Sequence, residues 1–204
     1  MQILFETRMT SGQYVSERGW RTAMLSSCPL HPRGGCGFRG HGSYERKTPP
    51  GLRVARWYCS EGQVTFSLLP DFMAASYRGT LGEVEHAVRV AEQAASVAAA
   101  AQQLRPELDD QRSAERWLRR RVSALRSGLS SLVTSVPALF GVTSTLSAVA
   151  AKLGAGTGRV LEAVRAASTP LLALMATPLG FRHRSPTSQQ SAGALQHAMG
   201  PAPG

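Results

Sequence analysis

The chain has 204 residues, 43% of them hydrophobic, with a formal net charge of +10 and a pI near 10.7. That length suits one large domain or two small ones, and the charge calls for an anionic partner without specifying a fold. Three cysteines, with no apolar leader in MQILFETRMTSG, argue against a disulfide framework; they favour a cytoplasmic protein carrying a metal site or free thiols.

The positive charge is clustered. Arg18, Arg21, Arg33, Arg39, Arg46, Lys47, Arg53 and Arg56 face one acid, Glu45, within their span. Arg112, Arg116, Arg119, Arg120, Arg121 and Arg126 face only Glu115. These two segments are the candidate phosphate contacts. Residues 127–151 carry no charge, but nine of them are Ser or Thr, and Pro137 and Gly141 interrupt the run. No membrane span is expected there; the stretch reads as a buried helix or a surface for self-association.

Residues 1–19 show no clear periodicity and read as a variable lead-in. Trp20–Leu25 is a short apolar strand or anchor. The chain then runs through Cys28-x2-His31-x4-Cys36-x4-His41-x17-Cys59. Zinc takes thiolate and imidazole ligands in a tetrahedron, usually from short turns brought together. Gly34, Gly35 and Gly37 allow such a turn. SYER and LRVARWYC read as strands joined by the turn Thr48-Pro-Pro-Gly51, so the second returns Cys59 to the first turn.

After Cys59 come Ser60, Glu61, Gly62 and Gln63, so a second ligand is missing there. The site is therefore expected from Cys28, His31, Cys36 and Cys59, with His41 as the substitute. Two other readings stay open: an idle buried thiol cluster, and a catalytic Cys/His pair.

HGSYERKTPPGLRVARWYC followed by TFSLLPDF resembles the N-terminal zinc-ribbon segment of bacterial insertion-sequence transposases and of small transposon-associated proteins. The resemblance spans residues 28–72 and rests on His41-Gly42, Tyr58-Cys59 and Thr65-Phe66-Ser67. It implies a zinc ribbon that contacts DNA. The missing cysteine after Cys59 departs from the pattern.

Thr80-x-x-Glu83 is a capping-box signature, and Leu81, Val84, Val88, Ala91 and Ala95 follow on one helical face. Ser96 caps a short helix to Leu104, which Pro106 ends. Asp109 or Asp110 caps a third, with Leu118, Val122, Leu125 and Leu129 as its apolar stripe and arginines opposite. SVAAAAQQL…SAERWLRRR resembles the homeodomain-like helix-turn-helix that follows the ribbon in many transposases. That resemblance places Arg112, Arg116, Arg119 and Arg120 near duplex DNA; a solvated helix face is the alternative.

Further on, LSAVAAKLG and GRVLEAVRAA read as short helices, and the last twenty residues as a polar, disordered tail.

The expected fold class is thus α+β. A zinc-ribbon-like module covers 20–72, helix-turn-helix-like helices 80–127, an apolar helical region 128–184 and the tail 185–204. Asp occurs only at 71, 109 and 110, and Glu162 is the single acid beyond Glu115. A two-metal nuclease centre cannot be assembled from these, and no nucleotide-binding or hydrolase motif is present. The expected function is a DNA-binding accessory or remnant protein of a mobile element, nucleoid-associated, taking no small-molecule substrate. Arg39, Arg46, Lys47, Arg53 and Arg56 of the ribbon would join the helical arginines on double-stranded DNA. A protein-interaction module and a thiol-dependent enzyme are the alternatives.

Overall fold

A computed structural model describes residues 1–156, 158–172 and 175–181. The disordered tail expected over 185–204, with Arg182 and Arg184, lies outside the described residues. The fold is mixed α+β, with four strands and seven α-helices among the described residues.

The sheet contains β1 (Gln2–Phe5), β2 (Arg39–Glu45), β3 (Arg53–Cys59) and β4 (Val64–Pro70). Its order is β1-β4-β3-β2. Strands β2, β3 and β4 form an antiparallel meander, and β1 lies parallel to β4. Gly42, at φ 71°, sits in the irregularity between Gly40 and Ser43. Only glycine enters that backbone region without a Cβ penalty, which is why β2 can bulge there.

Residues 1–19, which read from sequence as a variable lead-in, carry a strand and a helix. Four residues are too few to show a strand period, so β1 is visible only through its pairing with β4. Thr10 then opens α1 (Ser11–Ser16) with a full capping box to Gln13. Tyr14 on that helix is fully buried, against Leu52, Val54, Leu69 and Phe72. Trp20 lies in a 3₁₀ turn, Gly19–Arg21, rather than in a strand.

The helices follow the sequence signals closely. Helix α2 (Leu81–Gln93) opens on the Thr80/Glu83 capping box. Ser96 caps α3 (Val97–Leu104), and Asp110 caps α4 (Gln111–Ser135). Helix α4 runs 25 residues, so the expected boundary at 127/128 falls inside a continuous helix. No proline or charge reversal interrupts it before Pro137, which starts the short α5 (Pro137–Phe140). Helices α6 (Leu146–Leu153) and α7 (Val160–Ala167) complete the helical half, with left-handed Gly154 ending α6.

The main core joins Leu81, Val84 and Val88 of α2 to Leu125, Leu129 and Leu132 of α4 and Leu161 and Val164 of α7. Phe140, Leu146 and Val149 are buried in it, leaving Leu139 and Val142 as the exposed large apolar side chains of 128–151. No helix among the described residues is long and apolar enough to cross a membrane.

Two buried charged side chains cross-link distant segments, Arg165 joining α7 to the end of the sheet and Glu85 joining α2 to the start of α7. Arg165 donates to the carbonyls of Asp71, Met73, Pro178 and Leu179. Glu85 accepts from Arg89 and from the backbone N–H groups of Gly158 and Leu161. Both satisfy the rule that a buried charge must be paired or hydrogen-bonded.

Candidate metal centre and basic groove

One face of the sheet is covered by the loop between the 3₁₀ turn and β2. On that face Phe66, Trp57 and Cys59 pack with Cys28, Cys36, Leu25 and Phe38. The Trp57 indole N–H donates to the carbonyl of Ala23 at 3.3 Å, and its ring stacks on Phe38 at 5.2 Å. The loop is thereby folded under the sheet, and its cysteines meet the end of β3.

There the ligand atoms of Cys28, His31, Cys36 and Cys59 all lie within 4.8 Å of one another. His31 Nδ1 lies 3.7 Å from Cys28 Sγ and 3.4 Å from Cys59 Sγ. All three thiols are buried and none is in a disulfide. Among the described residues no other group of three or more such donors converges.

The surroundings fit a bound cation. The Gly62 backbone N–H donates to Cys59 Sγ at 3.2 Å. Burial pushes the Cys28 thiol up, but hydrogen bonds from His31 and from the Leu30 and His31 backbone outweigh it and bring it to about 7. Burial, reinforced by the neighbouring Cys28 and Cys59 sulfurs, pushes Cys36 up to about 11. Three sulfurs crowded around one imidazole repel as thiolates, and a divalent cation relieves that. Behind the ring, His31 Nε2 faces a carboxylate oxygen of Glu61 at 3.6 Å. A carboxylate on the second ring nitrogen is the usual outer partner of a metal-bound histidine. Three sulfurs and one nitrogen are donors of the kind that zinc takes.

His41, the expected substitute, is not in the group. Its exposed ring lies against Tyr58, centroids 5.5 Å apart, in the bulge of β2. The ligand missing after Cys59 is supplied from the other side by Cys36. A Cβ at Gly62 would come within 2.8 Å of Leu30 Cδ1 and 3.3 Å of Cys59 Sγ, so a side chain there would crowd the centre. Burial of all three thiols also speaks against a thiol nucleophile, which needs access to its substrate.

The basic residues divide into several sets. Arg46 donates to the Tyr77 carbonyl at 2.6 Å, carrying the β2–β3 turn towards the start of α2. A groove of about 1210 Å³ opens there, lined by Thr48, Tyr77, Arg78, Arg105, Arg116, Trp117, Arg120 and Arg121 among others. Arg121 lies over the Trp117 ring at 4.2 Å and the Tyr77 ring at 5.6 Å; Arg105 covers Trp117 from 5.2 Å. The two acids at the groove are engaged: Glu83 in the α2 cap and Glu107 with Arg105. Lys47 is exposed beside Thr48.

So Arg116 and Arg120, expected as contacts, line this groove, and Arg46 is bonded to the Tyr77 carbonyl at its wall. Arg78, Arg105 and Arg121 line it too, although the clustering of charge along the sequence does not mark Arg78 or Arg105. Arg119 belongs elsewhere, ion-paired to Glu115 at 3.2 Å and lining a second hollow with Arg126. Arg112 is exposed in the first turn of α4. Arg53 is held by Ser43, its Nε donating to the hydroxyl at 2.9 Å. Arg39 and Arg56 lie on the sheet face opposite the metal centre, over Tyr58 at 5.8 Å and Tyr44 at 6.0 Å.

No protein family, curated protein or solved structure matches this chain.

Proposed function

We propose that this is a zinc-stapled nucleic-acid-binding protein that grips duplex DNA through the groove between α2 and α4. The single observation that carries the reading is the groove wall. Arg78, Arg116 and Arg120 line it without an ion pair among the described residues, and both nearby acids are occupied. Unpaired guanidiniums along an open channel repel one another unless a polyanion neutralises them. Arginine forks match phosphate geometry, and a channel of this size suits a backbone better than a single small anion.

In this reading the Cys28/His31/Cys36/Cys59 centre holds zinc and acts structurally. Zinc would supply the cross-link that a short loop with little core of its own lacks. Helices α3 and α4, joined over residues 105–110, would be the helix-turn-helix-like pair, with Arg112, Arg116 and Arg120 on its basic stripe. The protein would be an accessory or remnant of a mobile element, working without a catalytic domain of its own. Support for that last step is the sequence resemblance alone.

The test is fluorescence anisotropy with a labelled duplex across a salt series. Affinity should fall steeply with salt, by a log–log slope of about −0.9 per phosphate neutralised. R116A and R120A should each weaken binding and flatten the slope, and R119A should do so least. Binding that ignores salt, or no binding at low salt, sinks the proposal.

A further inference from the structure

The sheet has two faces with opposite character. Register places Tyr44 beside Val54, Arg39 and Thr65 beside Tyr58, and Ser67 beside Arg56. Alternation along β3 then puts Val54, Arg56 and Tyr58 on one face and Ala55, Trp57 and Cys59 on the other. The second face is buried by the metal-centre loop. Among the described residues the first is covered at its Val54 end, where Val54, Leu69 and Tyr14 are buried. Among the described residues no buried apolar cluster reaches it beyond Tyr44, and Tyr58 belongs to none.

What this open face carries is specific. Tyr58 is flanked by exposed His41 and exposed Arg39, ring to ring at 5.5 Å and guanidinium to ring at 5.8 Å. Arg56 lies over Tyr44 at 6.0 Å, and its Nε is buried without a hydrogen-bond partner among the described residues. Thr65 and Ser67 add hydroxyls on the same face. Aromatic rings and guanidinium planes on an open sheet offer π-faces to stack on, cations for phosphates and hydroxyls for base edges. A paired duplex hides its base faces and cannot use the rings; an acidic peptide would use the cations and leave the rings idle.

We infer that the open face of the sheet, centred on Tyr58 and Arg56, is a stacking platform for unpaired bases of a single strand. This rests on the nucleic-acid reading above and assigns the sheet a different substrate form from the groove. One bound base lies on Tyr58 and another on the Tyr44–Arg56 pair, with Arg39, which pairs with Tyr58 at the outer end of the face, on the flanking phosphate.

The experiment uses the full chain, zinc-loaded, with a labelled oligothymidine of about 12 nucleotides, a site size within the range of single-strand binders. A labelled duplex runs in parallel. Y58A should weaken oligothymidine binding roughly tenfold, as expected for losing one stacked base, and leave duplex binding within about twofold. Y58F keeps the ring and should bind as wild type, which separates stacking from misfolding. R116A and R120A should weaken duplex binding more than oligothymidine binding. If Y58A and R56A bind oligothymidine as wild type does, the platform falls and the groove stands. If polyglutamate competes as well as oligothymidine, the face reads only charge and the platform falls. If the chain binds neither nucleic acid, both proposals fall.

Discussion

The backbone N–H of Gly62 donates to the thiol sulfur of Cys59 at 3.2 Å, at the place where a second ligand after Cys59 would stand. Cys36, from the loop before β2, brings the third sulfur to the group. The donor group is complete although one of its two turns contributes a single ligand.

Purified protein should accordingly carry one equivalent of zinc. C28S, C36S, C59S and H31A should each lower that stoichiometry or the affinity by orders of magnitude, whereas H41A should keep it. Metal analysis after dialysis checks this, and zinc loss in H41A equal to that in H31A would overturn the assignment. E61Q should weaken affinity by about tenfold, the low end for an outer-shell partner, without changing stoichiometry.

Zinc uptake should release protons. Cys36 is held protonated, at about 11, by burial and by its sulfur neighbours, so at neutral pH it gives up its proton to bind metal. Protons compete with the cation at each thiol, so affinity should fall as pH is lowered. Calorimetry in buffers of different ionisation enthalpy measures the release. An uptake of protons, or binding that strengthens towards acid, would contradict the site.

The Glu85 carboxylate, 1% exposed, holds the start of α7 through the N–H groups of Gly158, at 2.7 Å, and Leu161, at 3.2 Å. E85A leaves those donors and Arg89 without their acceptor. A loss of about 3 kcal/mol in stability is expected. Urea denaturation gives the number, and a change below about 1 kcal/mol would show that α7 is held by packing alone.

Arg165 should be still less replaceable. Its guanidinium satisfies four backbone carbonyls from two distant segments, after β4 and near Pro178. R165M keeps the stem and removes the donors, and should cost roughly 3–5 kcal/mol. R165K retains charge without the fork and should recover only part of it.

T80A removes the hydroxyl that accepts from the Glu83 N–H at 3.1 Å. The expected cost is about 1 kcal/mol, since Glu83 still reaches back to the Thr80 N–H at 2.9 Å. Nucleic-acid affinity should survive T80A, because Thr80 lines the groove without contributing charge; a parallel loss of binding would place the α2 cap in the contact itself.

The sequence by itself determined what is local. Caps at Thr80, Ser96 and Asp110, the Gly154 stop and the β2–β3 turn all lie within a few residues of what they control, so pattern alone located those elements. It also named the four donors of the metal group, because two turns and one strand end leave few ways to bring thiols together. Only the tertiary structure decided the rest. Strand β1 exists through pairing with residues more than sixty positions away, as Gln2 with Ser67 shows. Arg78 and Arg120 meet at one groove because α4 packs across α2, while Arg119, one residue before Arg120, is turned through about 100° to another side. A helical period fixes which residues share a face but not what that face meets; burial against other elements settles that.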